Sequence, residues 1–229
     1  MKHGERAVLA LLVLVVAPVV SALDPARPIS RNGHRSWGMD DGLPQSTVLA
    51  LLQTSDGYLW LGTQEGLARF DGVRFAVFDE ANTPAIERDH VLALFEDSTG
   101  ALWAGTNGGG ALRLSDGEIT PLTTSTGFAS DTVHDIAEGP PGTLWFATAD
   151  GLVRQRGDQL THFEEADGAP PGVHHSLLVD RDGTLWIGGA RGRLTRFADG
   201  SFRPVTLEGA TSILRDLRED PRGGLWIAT

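Results

Sequence analysis

Apolar residues in this chain come in short runs of four to six, separated by glycine- and aspartate-bearing breaks. The first unit reads Thr47 to Leu52, a Ser55-Asp56-Gly57 break, Tyr58 to Leu61, Leu67 to Phe70, an Asp71-Gly72 break, and Arg74 to Phe78. Runs of this length, rich in β-branched and aromatic residues and bounded by Asp-Gly pairs that tolerate positive φ, predict antiparallel strands joined by tight hairpins. A second unit places its runs at Val91 to Glu96, Ala101 to Ala104, Ala111 to Leu114 and Glu118 to Leu122. A helical solenoid would need apolar residues at three-to-four spacing, and these runs are too short and too often broken by glycine.

The units repeat. Trp60, Trp103, Trp145, Trp186 and Trp226 stand 43, 42, 41 and 40 residues apart, each followed by a small residue in a Leu-Trp-x-Gly/Ala context. Four strands in a unit of about forty residues describe a β-propeller blade. The predicted fold class is therefore all-β: a propeller of four-stranded blades over residues 37–229, with four blades plus the start of a fifth, hence an incomplete propeller. The five tryptophans are assigned to the structural core, each indole filling the gap between neighbouring sheets. Recurrence at one structural phase favours packing over a ligand platform. Trp37 lies only 23 residues before Trp60; this out-of-phase tryptophan is expected to pack on the first blade.

Before the repeats, Lys2 and Arg6 precede an apolar stretch from Ala7 to Val20, and Val20-Ser21-Ala22 resembles a small-residue cleavage site. Residues 1–22 thus read as a secretory signal peptide, the competing reading being an uncleaved anchor. Residues 23–36 form a polar, proline-bearing lead-in. Net charge is −11, which excludes a broad basic face for nucleic acid. The chain has 0 cysteines, which removes disulfides and thiolate metal sites from consideration.

Two stretches carry a family resemblance. Trp37-x-x-x-Asp41-Gly42-Leu43-Pro44 and the run Asp56-Gly57-Tyr58-Leu59-Trp60-Leu61-Gly62-Thr63-Gln64-Glu65-Gly66-Leu67-Ala68-Arg69-Phe70 resemble the two-component regulator propeller family. The resemblance implies a periplasmic β-propeller sensor region of hybrid sensor histidine kinases or diguanylate cyclases, here an N-terminal fragment lacking membrane anchor and output domains. It departs from the family pattern at Gly189, which replaces the usual threonine, and at Ala147 and Ala228, which replace glycine.

Candidate chemistry is sparse. The histidines show no zinc-binding spacing, no nucleophile elbow occurs, and Asp180-Arg181-Asp182-Gly183 starts like a calcium loop but runs at once into Leu185-Trp186. No catalytic residue, metal ligand or cofactor is assigned. Ligand binding is expected at one mouth of the propeller channel, where the residues preceding each first strand are polar: Gln45, Ser46, Asp89, His90, Asp131, His174 and His175. The competing reading makes these residues strand caps that face solvent. Three functions compete: a sensor of a small molecule or polysaccharide fragment, a secreted propeller enzyme resembling streptogramin lyase, and a protein-interaction scaffold. Open blade edges also predict self-association and marginal stability.

Overall fold

The computed structural model describes residues 35–88 and 90–229. The signal-peptide reading of residues 1–22, most of the 23–36 lead-in, and Asp89 lie outside the described residues. Trp37–Thr229 form one compact unit. Its first sheet is β1 (Val48–Gln53), β2 (Leu59–Thr63), β3 (Gly66–Phe70) and β4 (Phe75–Phe78). The second is β5 (Val91–Glu96), β6 (Leu102–Thr106), β7 (Ala111–Ser115) and β8 (Glu118–Leu122). The third is β9 (Val133–Glu138), β10 (Thr143–Thr148), β11 (Gly151–Arg156) and β12 (Gln159–Phe163). The fourth is β13 (His174–Val179), β14 (Leu185–Gly189), β15 (Leu194–Ala198) and β16 (Ser201–Val205), and β17 (Asp216–Glu219) pairs with β18 (Leu225–Ala228). Each sheet runs in sequence order with antiparallel neighbours. These are four four-stranded blades and two strands of a fifth. No described helix is long and apolar enough to cross a membrane.

The first strand of each blade packs on the first strand of the next, from β1 through β5, β9 and β13 to β17. That approach is close enough to dictate residue type. A Cβ at Gly62 would lie 2.6 Å from Val91, and one at Gly105 would lie 2.8 Å from the Val133 carbonyl oxygen. The small residue two places after each tryptophan is therefore a requirement of blade-to-blade packing.

The first four tryptophans of the repeat pack forward onto the following sheet. Trp60 lies among Val91, Leu102 and Leu112; Trp103 among Val133, Leu144 and Phe146; Trp145 among Leu177, Leu185 and Ile187. These three indoles are 8%, 2% and 4% exposed. Trp186 meets the two-stranded fifth sheet and is half-buried. Trp226 corrects its assignment to the core: it is 66% exposed, because no described blade follows to cover it. Trp37 behaves as expected, packing edge-on against Phe70 at 5.0 Å between ring centroids.

Polar contacts repeat with the same period. The Asp97 and Asp180 carboxylates, six places before a tryptophan, accept backbone N–H groups of their own turn and the indole N–H of Trp103 and Trp186, both at 2.7 Å. The apparent calcium loop at Asp180 is thus a turn clasp. Between blades, the Glu96 carboxylate accepts the Ser55 N–H at 2.8 Å, and Glu138 accepts the Ser98 N–H at 2.7 Å. Glu219 accepts the Arg181 N–H at 3.1 Å. The series skips one boundary: Pro140 has no N–H to donate, and the facing strand ends in Val179.

Candidate functional site

One end of the blades gathers the connectors that lead into each first strand together with the hairpins between second and third strands. Connectors and hairpins are tied to one another by backbone hydrogen bonds. Asn107 N–H donates to the His90 carbonyl at 2.9 Å, Gly108 and Gly110 N–H both donate to the Asp131 carbonyl at 2.8 Å, and Ala149 N–H donates to the Thr132 carbonyl at 3.0 Å.

The connector residues differ in how free their side chains are. Gln45 is half-buried and its amide donates to Gln64 Oε1 at 3.1 Å; Ser46 is exposed. His90 is half-buried, with Nδ1 3.5 Å from the Asn107 amide. Asp131 is committed to its own connector, accepting Thr124 N–H at 2.7 Å and the Thr124 hydroxyl at 2.9 Å. His174 is 2% exposed, and its Nε2 has no hydrogen-bond partner among the described residues.

The cross-strand partner of His174 differs from those of its counterparts. Equivalent positions in the first three blades pair a valine with a threonine: Val48 with Thr63, Val91 with Thr106, Val133 with Thr148. In the fourth blade the pair is His174 with Gly189. The fourth blade thus departs from the first three at both members of this pair. Burial first, and then the Arg193, His175 and His134 charges, bring the His174 pKa down to about 4.

One place further along, the first strands of the four complete blades bulge, at Leu49, Leu92, His134 and His175, each eleven places before a tryptophan; Arg215, just ahead of β17, stands at the same distance from Trp226. The His134 and His175 rings are neighbours across the boundary between the third and fourth blades, 5.5 Å between centroids. Burial, reinforced by His175, lowers the His134 pKa; burial, reinforced by Arg215, lowers that of His175. Both imidazoles are therefore neutral at pH 7, each offering one donor and one acceptor beside an exposed guanidinium.

The next register position holds Ala50, Ala93, Asp135, Ser176 and Asp216. Asp135 Oδ2 accepts the Leu177 N–H of the next blade at 2.6 Å, and Oδ1 accepts the Ile136 N–H at 2.9 Å. Burial outweighs these two hydrogen bonds, and with the nearby Asp216 charge it pushes the Asp135 pKa up to about 7. The Ser176 hydroxyl donates to the Leu214 carbonyl at 3.0 Å. This layer stitches blades together; the bulged row beside it presents the free polar groups. The row could have been found by counting back from each tryptophan, which scattered inspection of the histidines does not do. Among the described residues, no three His, Cys, Asp or Glu side chains converge as a metal site would require.

The architecture and its inner polar row define a β-propeller module. Three stretches, residues 42–65, 86–108 and 169–191, match the family model described as Two component regulator propeller. A histidine kinase, P4, of Formosa agariphila is 43% identical over 44 residues, covering 19% of this chain and 3% of that protein. A solved structure from B. thetaiotaomicron, described as the extracellular domain of a hybrid two component system (BT3049), superposes with a TM-score of 0.75 at 23% identity. That match covers 85% of this chain and 29% of the other. Virginiamycin B lyase from Staphylococcus aureus superposes with a TM-score of 0.66 at 16% identity over 79% of this chain and 62% of the lyase. At these identities the structural likenesses concern the fold. The chain spans a small part of the two signalling proteins it matches.

Proposed function

We propose that this chain is an extracytoplasmic ligand-sensing propeller of a bacterial signal-transduction protein whose output is a histidine kinase or a diguanylate cyclase. The observation that carries the reading is the His134–His175–Arg215 row, polar groups on inner strands whose first two counterparts are leucines. Structure and packing need no such groups there, since Leu49 and Leu92 fill the same position. The family repeats supply the signalling context, and the basic-then-apolar N-terminus supplies the extracytoplasmic one. Neutral imidazoles beside a guanidinium suit a small polar molecule or a polysaccharide fragment, held by hydrogen bonds with charge assistance from Arg215. His90 and Gln45 on the same-end connectors would extend the site. In this reading the chain itself is not catalytic, and its resemblance to the lyase is one of shape.

Thermal-shift and calorimetric titration against panels of neutral and uronic-acid oligosaccharides and of small carboxylates test the site. H134A/H175A should abolish binding of any hit while leaving the melting temperature within a few degrees, and H90A should weaken it less. Binding retained in H134A/H175A would remove the row from the function. An alkaline-phosphatase fusion at the end of the chain, inactive in the cytoplasm, tests export.

A further inference from the structure

The first blade departs from the repeat at several positions, and those departures meet in one cavity. It lies between the first blade and the second, holds about 570 Å³, and is bordered by the β1–β2 and β7–β8 turns, at the end of the blades opposite the connectors. We propose that this cavity binds a small aromatic carboxylate, its ring held between the two blades and its carboxylate held by Arg69 and the Trp60 indole N–H. The site is separate from the His134–His175–Arg215 row, and the inference does not rest on the sensing reading.

The apolar walls follow from register. Trp60, Arg69 and Ala76 form one row across the first blade, and Phe78 stacks on Trp60 at 5.7 Å between centroids. Opposite them the second blade presents Leu102, Leu114 and Ile119, again one row. Both blades are complete four-stranded sheets. The matching row of the fourth blade is Leu185, Phe197 and Phe202. There the rings pack on the preceding tryptophan, Phe197 lying 5.2 Å from Trp145 and 4.5 Å from Phe202. At the first boundary the two phenylalanine places hold the smaller Leu114 and Ile119.

Two donors on the first-blade wall are unspent. The indole N–H groups of Trp103 and Trp186 are taken by an aspartate six places earlier. Before Trp60 that place holds Thr54, whose hydroxyl turns to Asp56 at 2.6 Å, and the Trp60 N–H meets no acceptor among the described residues. Trp145 also lacks the aspartate, with Gly139 in its place, but Phe197 packs against that indole. The Arg69 guanidinium has neither an ion pair nor a hydrogen bond among the described residues. It lies over the Tyr58 ring, 4.5 Å from the centroid. Tyr58 is the one tyrosine of the chain; its counterparts two places before the other tryptophans are Ala101, Thr143, Thr184 and Gly224. Stacking on a ring orients a guanidinium and spends none of its N–H groups.

The carboxylates on the walls are engaged or turned away. Glu96 accepts the Ser55 N–H and hydroxyl at 2.8 and 2.6 Å, Asp56 accepts the Tyr58 N–H at 3.3 Å, and Asp116 accepts the Ser115 hydroxyl at 3.2 Å. Glu118 stands one place from Ile119 and so on the other face of its strand. The cavity therefore offers one positive charge and an extra N–H donor against aromatic and branched surface. A carboxylate matches the guanidinium edge, a ring matches the walls, and the volume is that of an ordinary small-molecule pocket.

The Trp60 indole N–H reports on the site directly. Its resonance in a proton–nitrogen correlation spectrum of the whole chain, assigned by its loss in W60F, should shift and saturate with benzoate, phenylacetate or phenylpropionate. The matching amides keep the ring and lose the charge, and should bind at least about tenfold more weakly. R69Q should weaken the acids by a similar factor while melting within about 4 °C of the wild type. L114F/I119F installs the fourth-blade pair and should abolish the shift, whereas H134A/H175A should bind the acids as the wild type does. No saturable shift from any of the three acids up to about 10 mM would overturn the proposal. Equal binding of acid and amide would overturn it, as would acid binding unchanged in R69Q, retained in a folded L114F/I119F, or lost in H134A/H175A. Preferential binding of benzylamine would assign the cavity to its carboxylates and overturn it too.

Discussion

The inner strands of the first two blades and those of the third to fifth do the same mechanical work with different chemistry. Eleven and ten places before the tryptophan, the first two blades carry Leu49-Ala50 and Leu92-Ala93; the others carry His134-Asp135, His175-Ser176 and Arg215-Asp216. The apolar half shows that close packing of successive strands requires only small and branched residues. The polar half reaches the same packing with cross-blade hydrogen bonds from Asp135 and Ser176. It also places two imidazoles and a guanidinium where the fold would accept leucine. What the difference teaches is that polarity here is an addition to the scaffold, and additions at one register position are where function is to be sought.

The largest expected effect probes what the two halves share. Trp103 is buried between the second and third blades, so W103A should cost about 3–5 kcal/mol by the usual scale of aromatic truncations in a core. W226A, at an exposed indole, should stay within about 0.5 kcal/mol in dilute solution. Urea denaturation with tryptophan fluorescence checks both; equal losses would show that the indoles are not bearing on the next blade.

A second test separates the halves by pH. Asp135 holds its proton up to about pH 7 in the folded chain and to 3.8 as a free side chain. Between those values the folded state binds more protons, so its contribution falls as pH rises and the cost is complete above 7. D135N removes that ionisation. Asparagine keeps only one of the two acceptor oxygens, so the variant should fall slightly below the wild type near pH 4 and gain on it by something on the order of 2 kcal/mol by pH 8. His174 has the opposite sign, because its pKa falls from 6.5 to about 4. Its stabilisation is complete above pH 6.5 and is lost as pH drops toward 4. The wild type should therefore be flatter across this window than either D135N or a His174 variant.

His174 also supplies a volume test. H174V shrinks a buried side chain and should cost about 1–2 kcal/mol. H174V/G189T restores the valine–threonine pair of the first three blades and should recover most of the loss, which thermal melts of the single and double variants would show.

The architecture was legible because the same constraint is printed five times. The tryptophan period, the small residue after it and the Asp-Gly turns all describe one blade, so local and global signals agree. The exposure of Trp226 was not legible from its own unit, since a tryptophan here is buried by the blade that follows. Asp131 and His174 look like free polar groups in sequence, yet one caps Thr124 and the other is buried. The bulged row went unread because its members share a register position and no motif of their own.

The smallest effect concerns the glutamate latches, where the third blade again departs from the second. Glu138 accepts two hydrogen bonds from Ser98, N–H and hydroxyl, each at 2.7 Å. The groups are exposed, so E138A should cost only about 0.5–1.5 kcal/mol. At the next boundary Pro140 offers no donor and Val179 no acceptor. V179E alone should then be neutral or slightly unfavourable, since a carboxylate would face a proline ring. P140S alone adds a donor that water satisfies and removes the proline's restriction of the unfolded chain, and should be mildly destabilising. Together the two should recreate the Ser98–Glu138 latch, with a coupling of about 0.5–1 kcal/mol in a double-mutant cycle. Additive behaviour of P140S and V179E would mean that the pairing of donor with acceptor at the other boundaries is incidental to how these blades hold together.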